Sequence, residues 1–481
     1  MNYQHQLETS ERQRRKHLTA PETMSEVPPI HVALLPSAGM GHLTPFLRLA
    51  AMLVHHNCHV TLITTHPTVS KSESDQISKF HSSFPQVNQL HFHLLPPSDA
   101  SATKADPFFL RFEAIRSSSH LLPSLLSSVS PPLSSFVYDM TLISPLLPVA
   151  DSLGVPHYIL FTSSATMLSF FSYFPTVSAS LPTLNDVEIP GVSSIPRSSI
   201  PPMLLVPNSL FGNIFNEDGP KLTKLHGVLI NTFEELEAQS LEALNGGKMV
   251  KELPPVYAVG PFVPGEFEKE DQRGAPLKWL DDKAKGSVVY VTFGSRTAMG
   301  RDQMREIGEG LVRSGSMFLW VVKGKKVDRE EEEEGLEGLL GLELVEKIKE
   351  RGLVVKEWVD QREILDHEAV GGFVSHCGWN SVVEAAWYGV PIMGWPLGGD
   401  QKINAEVVSN KGWGVWNKDW GWEGENVVKG EEIGEAIREM MNDESLRIKA
   451  AEVKEAARKA ISVGGRGEVT LQKLIEKWNK F

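Results

Sequence analysis

With 481 residues the chain is longer than one hydrophobic core usually supports, so two domains are expected, and 41% hydrophobic with 22% charged residues is the make-up of a soluble globular protein. A net charge of −13 excludes the basic surface that nucleic-acid binding needs, and no apolar run is long enough to span a membrane. Only Cys58 and Cys377 are present, which excludes a disulfide framework and fits a reducing, cytoplasmic setting.

Residues 1–28 are polar, with Arg12, Arg14, Arg15 and Lys16 clustered among acidic residues. They lack the apolar centre of a secretory signal, and their glutamates are foreign to transit peptides, so a disordered tail is expected. Residues 30–35 read as a buried strand and 36–45 as a turn holding Gly39, Gly41 and His42. An amphipathic helix to about residue 56 follows, with Thr44 as its cap and Pro45 at its first position. A strand over 59–65 completes a β-α-β unit, and in such sheets ligands bind beyond the carboxyl ends of the strands, where His42 lies. Gly39 and Gly41 lack the third glycine of a dinucleotide fingerprint and there is no phosphate-loop motif, so a nicotinamide oxidoreductase is disfavoured.

A lone loop histidine is ordinarily a surface or hydrogen-bonded residue. A second feature changes that weighing: residues 135–138 form a strand ending at Asp139, again at a carboxyl end of the sheet. A carboxylate bonded to one ring nitrogen of His42 would fix its tautomer and leave the other nitrogen to take a proton. The intervening residues 97–132 are polar and serine-rich, and Asp106, Pro107, Phe108, Phe109 and Arg111 within them mark a turn or a helix start. A strand over 158–161 leads through Thr162, Ser163 and Ser164 into a helix crowded with Phe170, Phe171, Tyr173 and Phe174, mostly core. The proline-rich stretch 181–207 reads as surface loop. Strands over 226–231 and 256–259 precede a linker rich in proline, glycine and charge at 261–276.

The pattern then restarts, with a strand over 287–293, a turn containing Gly294, Ser295, Arg296 and Thr297, a helix over 301–313 and a strand over 318–322. The acidic run 328–334 reads as a solvated loop. Helices over 431–441, 444–461 and 469–481 close the chain.

Between them lies the most informative stretch, residues 358–401. An apolar strand over 370–374 meets Ser375, His376, Cys377 and Gly378, and a helix-favouring run from Asn380 to Tyr388 stops at Gly389. A strand, tight turn and helix start present unpaired backbone N–H groups and a positive dipole end, which suits a diphosphate. Gly378 permits close backbone approach, and Asn380 or Ser381 can cap the helix and contact phosphate. Glu384, one turn on, can accept bonds from two ribose hydroxyls, Trp358 offers a stacking face for a base, and Gln361, Asp400 and Gln401 offer partners to sugar hydroxyls.

These residues resemble the signature box of plant UDP-dependent glycosyltransferases: Trp358, Gln361, His376 to Ser381, Glu384, Gly389 to Pro391, Asp400 and Gln401 all match. The resemblance implies an α/β fold of two facing Rossmann-like domains, the GT-B arrangement, with a cleft between them. Residues 29–260 would bind the acceptor and 277–460 the UDP-sugar, with 461–481 a helix returning to the first domain. It implies that Trp358 stacks on uracil with Val359 in the same donor set, that Gln361 and Glu384 hold ribose, and that Ser295, His376, Gly378, Asn380 and Ser381 hold the diphosphate. Trp379, Asp400 and Gln401 would touch the transferred sugar, with UDP-glucose as co-substrate because Gln401 accompanies glucose in the family. His42 would be the base and Asp139 its orienting partner for a one-step inverting displacement. No metal or other cofactor is expected, since His376 and Cys377 lack suitably spaced ligand partners. The family usually has proline where Asp360 stands, so the loop before Gln361 is expected to be less fixed in φ.

Asp106-Pro107-Phe108, Ser295-Arg296-Thr297, Trp358 to Gln361 and Gly398 to Gln401 look like the subgroup of C-glucosyltransferases acting on 2-hydroxyflavanones and phloretin. Asp106, Phe108 and Arg111 are accordingly the expected acceptor pocket, the partner a small phenolic molecule, and the protein a monomer. The donor site and base would serve O-transfer equally, so an O-glucosyltransferase of flavonoids or other small phenols is the alternative. A UDP-sugar-binding protein without turnover is a second, disfavoured by the presence of both His42 and Asp139.

Overall fold

A computed structural model of the chain describes residues 29–68, 70–96, 107–268, 274–294, 299–323, 335–357, 359–422 and 425–480. Its strands are short apolar runs buried on both faces, as parallel sheets covered by helices require. In the N-terminal half these are β1 (His31–Leu35), β2 (His59–His66), β3 (Asn88–His93), β4 (Ser135–Asp139), β5 (His157–Phe161), β6 (Gly227–Ile230) and β7 (Val256–Ala258). They form one parallel sheet in the order β3-β2-β1-β4-β5-β6-β7. The C-terminal half supplies β8 (Val288–Thr292), β9 (Met317–Val321), β10 (Gly352–Val355), β11 (Val370–Ser375), β12 (Ile392–Gly394) and β13 (Gly414–Trp416), parallel in the order β10-β9-β8-β11-β12-β13.

Each order reverses direction once, between β1 and β4 and between β8 and β11. At such a switch point the crossover helices leave on opposite faces and a crevice opens beyond the carboxyl ends of the strands. In register, Leu35 lies beside Tyr138 and Thr292 beside Ser375. The residues that follow, Gly39 to His42 with Asp139 and Gly294 with His376, therefore sit at the two crevices. The helices that matter to them are α1 (Met40–His55), α2 (Pro107–Ser118), α3 (Ala165–Val177), α4 (Gln361–Leu365), α5 (Trp379–Tyr388), α6 (Gln401–Asn410) and α7 (Arg466–Trp478).

Two helix starts differ from the sequence expectation. Helix α1 begins at Met40 and not at Pro45, so His42 lies in its first turn. Gly39, at φ 94°, makes the turn from strand to helix, and the buried Glu73 carboxylate accepts its N–H at 2.7 Å. Pro45 is then inside the helix and leaves the Gly41 carbonyl without its intrahelical donor. The side-chain amide of Asn380 supplies one from the other half of the chain, at 3.3 Å. Helix α5 likewise begins one residue before Asn380, its cap position being Gly378.

The described part of the expected linker is packed down. Phe262 and Phe267 are buried, and the Phe267 ring meets Phe80 edge-on at 5.1 Å. At the chain's end, α7 buries Leu471, Leu474 and Trp478, and the Trp478 indole lies 5.7 Å from the Tyr158 ring of β5. No helix among the described residues is long and apolar enough to cross a membrane. Trp478→Ala should leave a large cavity against β5 and cost about 3–5 kcal/mol. The shift of the guanidinium unfolding midpoint measures this, and an unchanged midpoint would detach α7 from the stability of that sheet.

Candidate active site

In the first crevice, His42 Nδ1 lies 2.8 Å from Asp139 Oδ2. The aspartate is completely buried, while the imidazole keeps 24% of its side-chain surface exposed. Asp139 Oδ1 accepts from the Thr141 backbone N–H at 2.9 Å and its hydroxyl at 2.7 Å, so the carboxylate cannot rotate without breaking two bonds. A carboxylate facing Nδ1 assigns the proton to that nitrogen and puts the basic lone pair on Nε2. Thr162, just beyond β5, brings its hydroxyl to 3.2 Å from Nδ1. The next residue, Ser163, hydrogen-bonds the carboxylate of Asp400 at the start of α6, which also accepts from Asn404 at 2.9 Å. His42 and Asp400 thus lie along one seam between the halves of the chain.

The second crevice is built around His376. Its ring is seated between Gly294 and Gly378, where a Cβ atom would stand 2.6 Å and 2.5 Å from Nε2. Burial, with the nearby Lys323 cation, pushes its pKa down to about 4, so the imidazole is neutral at pH 7. Its Nδ1 is buried with no hydrogen-bond partner. Beside it, α5 starts at Gly378 with no side-chain cap, so the first N–H groups and the positive dipole end are open to a ligand. An orphaned ring nitrogen and an uncapped helix start thus lie side by side. Asn380 and Ser381 sit in the first turn and do not cap the helix. The Trp379 indole is buried and donates from Nε1 to the Asn231 carbonyl of the N-terminal half at 2.8 Å.

On the same helix, Glu384 Oε2 accepts from Gln361 Nε2 at 2.7 Å, and Ser381 Oγ from the same nitrogen at 3.0 Å. Gln361 opens α4, whose cap is Asp360 at φ −69°. The Asp360 carboxylate accepts from Arg362 N at 3.0 Å and Glu363 N at 3.4 Å, and pairs with the Arg362 side chain at 2.9 Å. The expectation of a looser loop is therefore corrected: the aspartate holds a proline-like φ through capping bonds instead of a ring. Val359 precedes it, half-buried against the second core. Gln401 Oε1 is engaged by Leu397 N at 2.7 Å and Gly398 N at 2.9 Å, which shapes the turn before α6.

Phe108 on α2 packs over Gly39, within 3.0 Å of where a Cβ would stand, and so borders the loop to His42. Arg111, one turn on, has its Nε buried without a partner and its Nη2 3.5 Å from the Thr68 carbonyl. Asp106, Ser295 and Trp358 lie outside the described residues, as do Arg296, Thr297 and the 1–28 tail. Among the described residues no group of three or more His, Cys, Asp or Glu side chains is placed to hold a metal ion.

Sequence reasoning overlooked Glu73, Glu268 and Arg48. Arg48 had a visible signal: a charged residue inside the apolar run Phe46-Leu47-Arg48-Leu49-Ala50 must be buried with partners. It donates from Nε and Nη2 to both oxygens of Glu268, at 2.9 and 2.7 Å, and from Nη2 to Glu384 Oε1 at 2.5 Å.

Two switch-point parallel sheets, with a His–Asp pair at one crevice and an uncapped helix start at the other, have the GT-B architecture of glycosyl transferases. The pattern of the UDP-glucoronosyl and UDP-glucosyl transferase family matches residues 277–453. UDP-glycosyltransferase 708G2 of Citrus unshiu is 56% identical over 458 residues, 93% of this chain and 96% of that protein. UDP-glycosyltransferase CGT of Oryza sativa subsp. indica is 48% identical over 441 residues, covering 90% and 93%. The crystal structure of LpCGTa in complex with UDP superposes with a TM-score of 0.83 at 45% identity, over 94% of this chain and 99% of that one. The chain belongs to the plant UDP-glycosyltransferase family, with a UDP-sugar as its donor.

Gly378→Ala must displace the His376 ring, and UDP affinity should fall by about 1–3 kcal/mol. Titration calorimetry with UDP measures this; wild-type affinity in the variant would separate His376 from the nucleotide.

Proposed function

We propose that this enzyme moves glucose from UDP-glucose to a ring carbon of a phenolic acceptor such as a 2-hydroxyflavanone or phloretin, inverting the anomeric carbon. The observation that carries the chemistry is the 2.8 Å contact between His42 Nδ1 and the buried Asp139, at the seam shared with Asp400. His42 Nε2 takes the phenolic proton, and the negative charge spreads onto the ring carbon beside the oxygen. That carbon attacks the anomeric carbon as its bond to the UDP oxygen breaks, and the ring carbon's own hydrogen leaves as a proton when aromaticity returns. Leaving UDP is stabilised by the α5 N–H groups, His376 Nδ1 and Ser381, with the ribose on Glu384 and Gln361.

Carbon transfer is supported by the subgroup motifs and by the names of the CGT proteins this chain resembles. Residues 29–260 serve as the acceptor half and 277–460 as the donor half in this reading, with Phe108 and Arg111 beside the acceptor. Both cysteines are unpaired and buried, which fits a cytoplasmic enzyme.

Incubation with UDP-glucose and phloretin should yield a glucoside that survives hot acid, since a carbon–carbon link has no acetal to hydrolyse. Release of glucose would make the enzyme an O-glucosyltransferase. His42→Ala should lower transfer by roughly 10²–10⁴-fold while UDP binding persists. Undiminished turnover would remove His42 from the mechanism, and UDP binding with no transfer by the wild-type enzyme to any phenol would mark a binding protein.

A further inference from the structure

The Arg48 guanidinium lies at the boundary between the halves of the chain, on the helix that also carries His42. Six residues separate the two, roughly 9 Å along the helix axis. Glu268, in the segment joining the halves, uses Oε1 to accept from both Arg48 Nε and the Gly265 N–H, each at 2.9 Å. The Gly265 carbonyl accepts from Arg362 at 3.2 Å, and Arg362 pairs with Asp360, the cap of α4. On its other side Arg48 reaches Glu384. One chain of charged hydrogen bonds therefore runs from the His42 helix to both elements that hold the ribose residues, Gln361 on α4 and Glu384 on α5.

A carboxylate has about four acceptor positions. Arg48 takes one on Oε1 of Glu384 and Gln361 one on Oε2, so each oxygen keeps a lone pair for a hydroxyl. We propose that Arg48 is a positioning residue for the donor: it fixes Glu384 in the doubly accepting pose that receives the two ribose hydroxyls, and ties that pose to the His42 helix. This rests on the reading of Glu384 as the ribose acceptor. Stability alone is a poor account of the arrangement, because buried ion pairs are often no better than apolar residues of the same volume. Arg48 also leaves Nη1 buried with no hydrogen-bond partner, a cost that functional sites tolerate.

The test compares UDP with dideoxyuridine diphosphate, which lacks both ribose hydroxyls, by calorimetry on the full chain. Arg48→Met should weaken UDP binding by roughly 10-fold or more, as expected for a lost charged hydrogen bond, and leave the dideoxy nucleotide within about 2-fold of wild type. Turnover at saturating UDP-glucose should fall much less than the donor KM rises. Equal weakening of both nucleotides would mean that Arg48 only supports the fold, and overturns the proposal. Arg48→Lys keeps the charge but cannot bridge two carboxylates, and carries the same comparison if the methionine variant does not fold. Glu384→Ala is the control. If it too weakens both nucleotides equally, the ribose reading itself fails; if it is selective for UDP and Arg48→Met is not, only the present inference fails.

Discussion

The 2.5 Å contact between the Arg48 guanidinium and the Glu384 carboxylate joins two helices from different sheets, and the geometry of the cleft follows from it. Removing two charges from water costs on the order of several kcal/mol per ion, so such a pair persists only where further bonds satisfy both partners. Here burial works against the arginine's charge, and Glu268 with Glu384 more than offsets it, holding the guanidinium above its ordinary pKa. Because these bonds are directional, helices α1 and α5 are held in one relative pose. The same pose lets Asn380 answer the carbonyl that Pro45 leaves open, and lets the Trp379 indole reach the Asn231 carbonyl. A proline in a helix and a tryptophan facing the core are thereby both satisfied across the seam.

The two crevices differ electrostatically. The first holds the Asp139 carboxylate, screened from solvent and facing His42 Nδ1, which fixes the tautomer of that ring. In the second the imidazole of His376 is held neutral, so in the proposed mechanism attraction for a diphosphate would come from backbone N–H groups and the dipole of α5. Fixed dipoles need no reorganisation as charge builds on the departing nucleotide, which is what a leaving-group site requires. The glycines at 294 and 378 serve the same end, since any Cβ there would displace the ring that closes the site.

The strands were legible in the sequence because a buried parallel strand is an unbroken apolar run: residues 287–293 and 370–374 read as such, while their adjacency as β8 and β11 emerges only in the fold. The contact between His42 and Asp139 was foreseeable from their places at strand ends. Local helix signals misled where a contact distant in sequence took over. Thr44 and Pro45 look like a helix start, yet Glu73 anchors the turn at Gly39, and the cap lies there instead of at Thr44. Asp360 looked like a loosened proline position because its capping bonds are invisible until the helix behind it is known. Trp379 shows a similar limit: a tryptophan in a binding motif suggests ring contact, whereas the sequence does not reveal that its buried indole bonds the Asn231 carbonyl. Arg48 was recognisable as buried, but its carboxylate partners lie 220 and 336 residues away, a separation no local pattern encodes.

A chain of net charge −13 that binds a nucleotide sugar meets an apparent conflict of like charges. Screening removes it: at physiological ionic strength exposed charges fade over a Debye length of about 8 Å, so the acidic exterior contributes little inside the cleft. Within the cleft the carboxylates are already committed, Asp139 to His42 and Thr141, Glu384 to Arg48 and Gln361, Asp400 to Ser163 and Asn404. In the proposed mechanism such committed carboxylates present lone pairs to sugar hydroxyls, which are neutral, while the anionic diphosphate is left to N–H donors. On that proposal the acidic residues at the seam select for the hydroxyl-bearing parts of the donor, and the uncapped end of α5 for its charge.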